Sequence, residues 1–257
     1  MPVSLGAQVR GPRGVLLMAR WLGCLLRNAV PATTLSREAI AAWFIRGSGV
    51  EVGALNSPLR VPAHARVRYV DVASEAELLR QFPEFGVGEI TRPELLTSVE
   101  SMSGFADESE DFVIANHVLE HTEDPLKAMK SIARVLRPQG IFYFALPDKR
   151  HTFDRSRRVT PLAHLVADHR DGPEPSRRWH YEEWIACVDG LGGDEAAAKL
   201  AVMLREHSNI HFHVWEVNDM IEWVHHAIRP LGVPFDVELI ARIGSEVVFV
   251  LRKRDSQ

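Results

Sequence analysis

Two acidic residues and one glycine stand where apolar runs give way to turns, and their types suit a nucleoside ligand. Glu51 and Gly53 end the run that begins at Gly49, and Asp71 ends the run that begins at Arg66, twenty positions after Glu51. A carboxylate at the end of such a strand can accept hydrogen bonds from both hydroxyls of a ribose, because its two oxygens match a cis-diol. Gly53 lets the backbone approach a ligand without a Cβ clash. The pattern therefore indicates a ribose-containing cofactor.

The loop after Gly53 discriminates between cofactors with and without phosphates. Leu55 and Ser57 stand where a dinucleotide fingerprint carries further glycines. A pyrophosphate needs the close backbone approach that those glycines permit. The loop therefore disfavours a nicotinamide dinucleotide, although Asp71 alone would suit one.

The chain has 12 histidines, and two of them lie in the turn after a buried-type strand. Histidine is the natural general base near neutral pH, because its ordinary pKa is about 6.5. His117 and His121 are four positions apart, so on a helix they share one face. Both are candidate catalytic residues, and His121 is either the base or a support for the site. A metal pair at this spacing has no carboxylate-rich group beside it on that face, and no metal site is predicted.

A third catalytic candidate, His180, lies among aromatic residues. Trp179, Tyr181 and Trp184 surround it in the sequence, and aromatic rings suit stacking on a sugar or another ring. The alternative is an ordinary amphipathic helix with Trp184 in the core.

The segment 211–215 alternates polar and apolar residues in the manner of a strand. The alternation places His211 and His213 on one face. Two such histidines bind a metal if a carboxylate joins them, and otherwise form a polar wall, which is the favoured interpretation.

Basic residues are frequent after residue 147. Lys149, Arg150, Arg155, Arg157 and Arg158 follow a predicted strand, where they could bind an anionic acceptor such as a phosphate-bearing substrate. A solvated charge run is the alternative.

One strand–helix–strand unit positions the two histidines of the turn. Residues 111–115 form a buried-type strand that ends at Asn116, and a helix over 124–136 begins with Asp124 and Pro125. The run Arg137–Gly140 stops that helix, and residues 141–146 form a second buried strand. Ligands bind at such strand ends.

This unit resembles the second half of the class I S-adenosylmethionine-dependent methyltransferase core, of the methyltransferase type 11 kind. The residues that carry the resemblance are His117-Val118-Leu119-Glu120-His121, Asp124-Pro125 and Arg134-Val135-Leu136-Arg137-Pro138-Gln139-Gly140. The continuation Pro147–Asp154 resembles a narrower bacterial branch associated with glycan or secondary-metabolite biosynthesis. The resemblance covers residues 48 to 155.

The resemblance implies a fold and a cofactor. The fold is α/β, a Rossmann-like, doubly wound, mostly parallel seven-stranded sheet with an antiparallel C-terminal edge and a helical insertion. The cofactor is S-adenosyl-L-methionine, and the residues expected to bind it are Glu51, Gly53, Ala54, Asp71, Asn116 and His117. Glu94, Glu100 and the segment 103–105 are candidates for the adenine contact.

The organisation of the chain follows from its turns and helix signals. Residues 1–47 are predicted to form N-terminal helices, over 15–28 and 36–46, that act as a cap or lid. Residues 48–257 are predicted to form the methyltransferase domain. The further predicted elements are strands 49–53 and 66–71, helix 75–81, an acceptor-recognition insertion 151–212 with helices 161–169, 179–188 and 193–206, helix 216–228, and strands 235–241 and 245–251.

Composition limits the class of protein. The chain has 257 residues, 46% of them hydrophobic, and a formal net charge of −4, so nucleic-acid binding is not expected. Its two cysteines, Cys24 and Cys187, lie far apart, which favours a reducing, cytoplasmic environment. The apolar run 15–27 is interrupted by Arg20 and is too short to span a bilayer, so no stable membrane insertion is expected. A monomer or a homodimer is expected.

The resemblance implies methyl transfer to a hydroxyl oxygen of a small-molecule acceptor, such as a sugar, a glycan precursor or a secondary metabolite. Two alternatives stay open. One is a non-catalytic module that binds S-adenosylmethionine, and the other is a nicotinamide-dependent oxidoreductase.

Overall fold

A seven-stranded β-sheet in the order β3-β2-β1-β4-β5-β7-β6 forms the centre of the protein. The computed structural model describes residues 35–255. The strands are β1 (Ser48–Val52), β2 (Arg66–Asp71), β3 (Leu95–Leu96), β4 (Glu110–Asn116), β5 (Leu136–Pro147), β6 (Phe235–Ile243) and β7 (Glu246–Lys253). The pairs among β1 to β5 are parallel, and β7 pairs antiparallel with both β5 and β6. The predicted fold class is therefore confirmed.

Seven α-helices accompany the sheet in the described part of the chain. They are α1 (Arg37–Phe44), α2 (Glu75–Gln81), α3 (Pro125–Val135), α4 (Leu162–Asp171), α5 (Glu174–Cys187), α6 (Gly193–Glu206) and α7 (Val217–Ile228). The second predicted N-terminal helix is confirmed as α1, whereas the first, over 15–28, lies outside the described residues. No described helix is long and apolar enough to cross a membrane.

The two faces of the sheet are buried in separate clusters, because successive side chains on a strand point to opposite faces. On β5, Phe142 and Phe144 pack on one face with Trp223 of α7, while Tyr143 and Ala145 pack on the other with α1. A sheet covered on both faces needs near-continuous apolar strands. The central strands could therefore be predicted from the sequence, because each is a nearly continuous apolar run.

The chain reverses direction across the sheet between β1 and β4. From β1 it runs outwards to β2 and β3, and from β4 it runs the other way to β5. The strand ends at such a switch point leave a crevice in which α/β proteins bind ligands. The crossover from β1 to β2, residues 53–65, contains no helix, although parallel strands are usually joined by one.

The predicted insertion, residues 151–212, contains α4, α5 and α6. The first and third of its predicted helices are confirmed within two residues, but the second begins at Glu174 rather than at residue 179. Pro175 lies in the first turn of α5, where a helix tolerates proline because the missing N–H would have no partner there.

Two local predictions were wrong. Residues 211–215 do not form a strand; only Trp215 makes an isolated parallel bridge, with Asp148. The turn after β4 is not the start of an α-helix, because His117 has a left-handed backbone with φ 55° and a 3-10 turn follows over Leu119–His121. His117 and His121 therefore do not share a helix face.

Candidate active site

A cleft opens at the carboxyl ends of β1, β2 and β4, at the switch point of the sheet. Its walls combine apolar side chains with carboxylates and imidazoles. The lining residues are Val52, Gly53, Leu55, Asp71, Val72, Leu78, Gln81, Phe82, Ser98, Val99, Glu100, His117, Val118, His121, Thr122 and Asn209. Four residues predicted for the site, Gly53, Asp71, His117 and His121, thus lie in one cleft.

Gly53 is required by the geometry of the cleft wall. Its φ is 67°, and a Cβ placed on it would lie 2.9 Å from Cγ2 of Val118, which follows β4. Its N–H donates to the carbonyl oxygen of Val70 at 2.9 Å and so ties the end of β1 to β2. The glycine therefore brings the loop after β1 close to the loop after β4.

Asp71 ends β2 and lines the same cleft. Its Oδ1 accepts a hydrogen bond from the Ala73 N–H at 3.2 Å. Burial raises the pKa of Asp71, and the backbone N–H groups of Ala73 and Val72 oppose that shift. The half-buried carboxylate suits the two hydroxyls of a ribose.

The cleft suits a cofactor without phosphates. Leu55 has a φ of 41°, so this loop adopts a left-handed backbone with a full side chain at the position where a pyrophosphate loop carries glycine. The isobutyl group of Leu55 lies in the wall of the cleft. An adenosine with an amino-acid tail fits this cleft. It would meet the carboxylate of Asp71, the backbone at Gly53 and the apolar side chains of Leu78 and Phe82.

Glu51 and Ala54 do not line the cleft. The side chain of Glu51 is only 1% exposed, and both its oxygens accept from the Leu59 N–H, at 3.0 and 3.1 Å. Burial raises the pKa of Glu51 to about 7. Ala54 is buried beside it. Glu51 therefore holds the crossover after β1 in place, and its predicted contact with the cofactor stays a prediction.

Asn116 also lies outside the lining. Both polar atoms of its side chain are buried without a hydrogen-bond partner among the described residues. A buried amide without partners costs free energy. Its predicted role in cofactor binding stays a prediction.

His117 is flanked by two carboxylates. Its Nε2 lies 2.6 Å from Glu246 Oε2 at the start of β7, and its Nδ1 lies 3.5 Å from Glu120 Oε1. Burial opposes the charged ring, but Glu120 and Glu246 outweigh it and raise the pKa of His117 to about 9. His117 is therefore mainly an imidazolium at neutral pH, and its predicted catalytic role stays a prediction.

His121 has the opposite electrostatic state. Its Nδ1–H donates to the Ile210 carbonyl oxygen at 2.9 Å and to Asn209 Oδ1 at 3.0 Å. The other ring nitrogen, Nε2, therefore carries a lone pair. Burial lowers the pKa of His121, although the charge of Glu120 opposes the shift. His121 is a neutral imidazole in the wall of the cleft.

Behind His121 lies a buried carboxylate that the sequence analysis did not single out. Glu120 is fully buried, and neither of its oxygens has a hydrogen-bond partner among the described residues. Burial opposes its ionisation, but the positive charge of His117, 3.5 Å away, lowers the pKa of Glu120. Glu120, His121 and His211 each offer one ligand atom within 4.8 Å of the others. The expectation that no carboxylate accompanies the histidines of this turn was therefore wrong.

His211 and His213 belong to different groups. His211 donates from Nδ1 to Asp154 Oδ2 at 2.7 Å, and its ring meets that of His121 edge to face. His213 lies instead with His164 and His180. The predicted same-face pair is not formed, because the segment is not a strand.

His180 does not reach the cleft. It is 2% exposed and packs inside the predicted insertion against His164 and His213. Burial lowers the pKa of His180 to about 2 and that of His213 to about 3. The structure gives His180 no contact with the site in which it was predicted to act.

The predicted basic patch is partly internal. Arg157 is buried and pairs with Asp154 at 3.0 Å and with Glu183 at 2.9 Å. Lys149 is also buried and donates to the Arg155 carbonyl oxygen. Of the five predicted cations, Arg150, Arg155 and Arg158 are exposed. Arg157 is used in internal ion pairs, and Lys149 in a hydrogen bond to a backbone carbonyl oxygen.

Of the three candidates for an adenine contact, only Glu100 lines the cleft. Glu94 accepts a hydrogen bond from the Tyr69 N–H at 3.4 Å instead. Phe82 and Asn209 also line the cleft, although neither was predicted from the sequence. No local signal marked Asn209, because it comes from a segment 88 positions away from its partner His121.

The fold and the cleft define a Rossmann-like protein that binds an adenosine-type cofactor. Residues 47–144 match the family model described as methyltransferase domain. Together, the match and the sheet show that the chain contains a methyltransferase domain, with S-adenosylmethionine as its cofactor. The match spans β1 to β5 and contains Gly53, Asp71, His117 and His121.

Solved structures with a similar fold have low sequence identity to this chain. An S-adenosylmethionine-dependent methyltransferase from Thermotoga maritima is 16% identical and has a TM-score of 0.44, and the match covers 94% of this chain and 97% of that one. One from Methanosarcina mazei is 13% identical, with a TM-score of 0.44 and coverages of 83% and 94%. A structure from Rhodobacter sphaeroides that bears the name of zinc-dependent alcohol dehydrogenases is 12% identical, with a TM-score of 0.50 and coverages of 82% and 86%. Such a likeness concerns the fold. A comparison with curated proteins finds no match.

Proposed function

We propose that this methyltransferase acts on a hydroxyl oxygen of a small-molecule, sugar-type acceptor. The observation that carries the proposal is the neutral imidazole of His121, with its Nε2 lone pair, in the same cleft as Asp71 and Gly53. A hydroxyl group must lose its proton when its oxygen is methylated, and an imidazole beside the cofactor site supplies the base.

In this proposal the chain aligns two reactants and moves one proton. S-adenosylmethionine supplies the methyl group when bound, and Asp71 holds its ribose. His121 Nε2 takes the proton of the acceptor hydroxyl, and the charge of Glu120 stabilises the imidazolium that results. Such a base contributes about 10²- to 10⁴-fold to the rate. Alignment of the two reactants contributes the rest.

The surroundings of His121 support a sugar-type acceptor. His211 lies beside His121 with ring centroids 4.5 Å apart, and Phe153 lies 4.9 Å from His211. Phe153 is 55% exposed, although it is a large apolar residue. The exposed ring of Phe153, which contacts His211 next to His121, suits stacking on a sugar ring. We propose accordingly that the insertion, 151–212, recognises the acceptor.

Binding of S-adenosylhomocysteine, measured by calorimetry, tests the cofactor site. We expect Asp71→Asn to bind it about 10- to 100-fold more weakly, because a hydrogen bond to a charged group is worth about 1.5–3 kcal/mol. The matched control is Glu94→Gln, which changes a carboxylate that bonds to Tyr69 of the same strand and does not line the cleft. NADH serves as the comparator ligand.

Each outcome of the calorimetry has a definite meaning. Loss of affinity in Asp71→Asn but not in Glu94→Gln supports the assignment of the ribose. Unchanged affinity in Asp71→Asn would overturn that assignment, and tighter binding of NADH would favour the oxidoreductase. An acceptor screen with product mass analysis follows. Binding without turnover on any hydroxyl acceptor would favour the non-catalytic module.

A further inference from the structure

Three histidines and an aspartate lie close together where the predicted insertion meets the segment after it, and none of them lines the cleft. His164 and Asp168 lie on α4, His180 lies on α5, and His213 lies after α6. One ligand atom from each histidine lies within 4.8 Å of the others. His180, His213 and Asp168 are buried, and His164 is half-buried.

Donor atoms of the three histidines lie within 4.8 Å of one another, and Asp168 joins the group through its contact with His164. His164 Nε2 lies 2.9 Å from His180 Nε2 and 3.0 Å from Asp168 Oδ2. In a tetrahedral zinc site with Zn–N distances of about 2.0–2.1 Å, neighbouring donor atoms are about 3.3 Å apart. The observed separations differ from that spacing by a few tenths of an ångström.

The Nδ1 atom of His213 has no hydrogen-bond partner among the described residues that would explain its burial. Its Nε2 donates to the Glu123 carbonyl oxygen at 3.2 Å, so its Nδ1 carries a lone pair. That Nδ1 is fully buried and has no hydrogen-bond partner among the described residues. A bound cation would accept the lone pair. The bond from Nε2 to a carbonyl oxygen is the usual way in which proteins orient a histidine that binds a metal.

The charges in this region leave room for a cation. Arg157, whose charge acts on His180 and His213, is neutralised by its ion pairs with Asp154 and Glu183. The histidine group itself holds one carboxylate, that of Asp168, and that carboxylate also accepts from Ser176 Oγ at 3.1 Å. Neutral imidazoles with one carboxylate suit a divalent metal ion of the zinc type.

The other histidine group of the described residues, Glu120, His121 and His211, is different. The negative charge of Glu120 already faces the His117 ring, which is an imidazolium at neutral pH. A divalent cation there would meet that positive charge. The group inside the insertion therefore carries the stronger case.

We propose that His164, His180, His213 and Asp168 bind a zinc ion that fixes α4 and α5 to the segment after α6. The site is structural, because three of its four residues are buried and none of the four lines the cleft. The ion would order the segment that carries Asn209 and Ile210, the partners of His121.

Metal analysis of the full chain tests the proposal. We expect about one zinc ion per chain in the wild type by mass spectrometry, and loss of that zinc in His213→Asn and in His180→Asn. His169→Gln is the matched control, because His169 also lies on α4 but bonds to Asp124 at 2.9 Å, outside the group. His121→Gln separates this site from the Glu120 group. Both controls should retain the zinc.

A second measurement keeps the test sharp if the variants fold poorly. Wild-type protein is stripped with a chelator, checked by circular dichroism and titrated with Co²⁺, which gives a visible absorption in tetrahedral sites. We expect a stoichiometric absorption and a higher melting temperature on addition of Zn²⁺. Folded, stripped protein that takes up neither ion would overturn the proposal. Zinc that survives in His213→Asn, or is lost in His121→Gln alone, would also overturn it.

Discussion

His117 and His121 stand four positions apart but have opposite protonation states. His117 lies between Glu120 and Glu246, and these carboxylates raise the pKa of its ring to about 9. Burial lowers the pKa of His121 below the ordinary value of 6.5, although its hydrogen bond to the Ile210 carbonyl oxygen opposes the shift. In the proposed reaction the two histidines of this turn therefore have different roles. His117 carries a positive charge, and His121 acts as the base.

The pH dependence of kcat/KM distinguishes these two residues. With His121 as the base, activity should fall only on the acid side, with an apparent pKa below about 6.5, because a protonated ring cannot accept a proton. His121→Asn should lower kcat by about 10²- to 10⁴-fold and abolish this limb. A limb near pH 9 that vanishes in His117→Asn would assign the base to His117 instead.

At the scale of elements, the crossover between β1 and β2 is the unusual part of the sheet. It contains no helix, so the hydrogen bonds from the Leu59 N–H to Glu51 replace some of the order that a helix would supply. Glu51 is nearly inaccessible, and burial raises its pKa to about 7. The anchor is therefore a carboxyl group that is partly protonated near neutral pH.

Glu51→Gln should change the pH dependence of stability. The folded pKa of Glu51, about 7, lies above the ordinary value of 4.5. The native state thus binds more protons between these values, and the free energy of unfolding should fall as pH rises through that window, by on the order of 3 kcal/mol. Urea denaturation at pH 4.5 and pH 7.5 measures this fall.

The glutamine variant keeps an acceptor for the Leu59 N–H and carries no charge, so its stability should change less across that window. Glu51→Ala is the contrasting variant, because it leaves a buried N–H without a partner at a cost of about 1–3 kcal/mol. Equal pH dependence in wild type and Glu51→Gln would show that Glu51 is ionised in the native state without penalty.

At the scale of the whole molecule, His117 connects the end of the parallel strand β4 to the start of the antiparallel strand β7. It follows β4, and its Nε2 bonds to Glu246 at the start of β7. The folded pKa of about 9 lies above the ordinary value of 6.5. The stability that this ring contributes is therefore complete below about pH 6.5 and lost as pH rises through 9.

Thermal unfolding of wild type and His117→Gln at several pH values checks this contribution. The melting temperatures should differ most at pH 6 and converge by pH 10. Glu246→Gln should reduce the difference at pH 6, because it removes one of the two carboxylates that hold the proton. A constant difference across this range would contradict the raised pKa of His117.

The parts of the fold that sequence could predict are those set by local pattern. Apolar runs such as 111–115 and 141–146 marked the central strands, and Pro125 marked the start of α3. Gly53 and Asp71 could be placed in one cleft because the ends of parallel strands meet at one edge of a sheet. The partners that set the protonation states could not be predicted in this way. Glu246 lies 129 positions from His117, and Asn209 lies 88 positions from His121.

The bridge between Asp148 and Trp215 has a consequence for protein engineering. Trp215 is almost fully buried with Trp223 of α7, and Asp148 is fully buried. The segment that contains the three helices of the insertion thus begins and ends next to two buried, paired residues, Asp148 and Trp215. A chimaera that exchanges this region between relatives should therefore have its junctions outside Asp148 and Trp215, because a single cut between them would leave the two residues of this buried bridge in different parents.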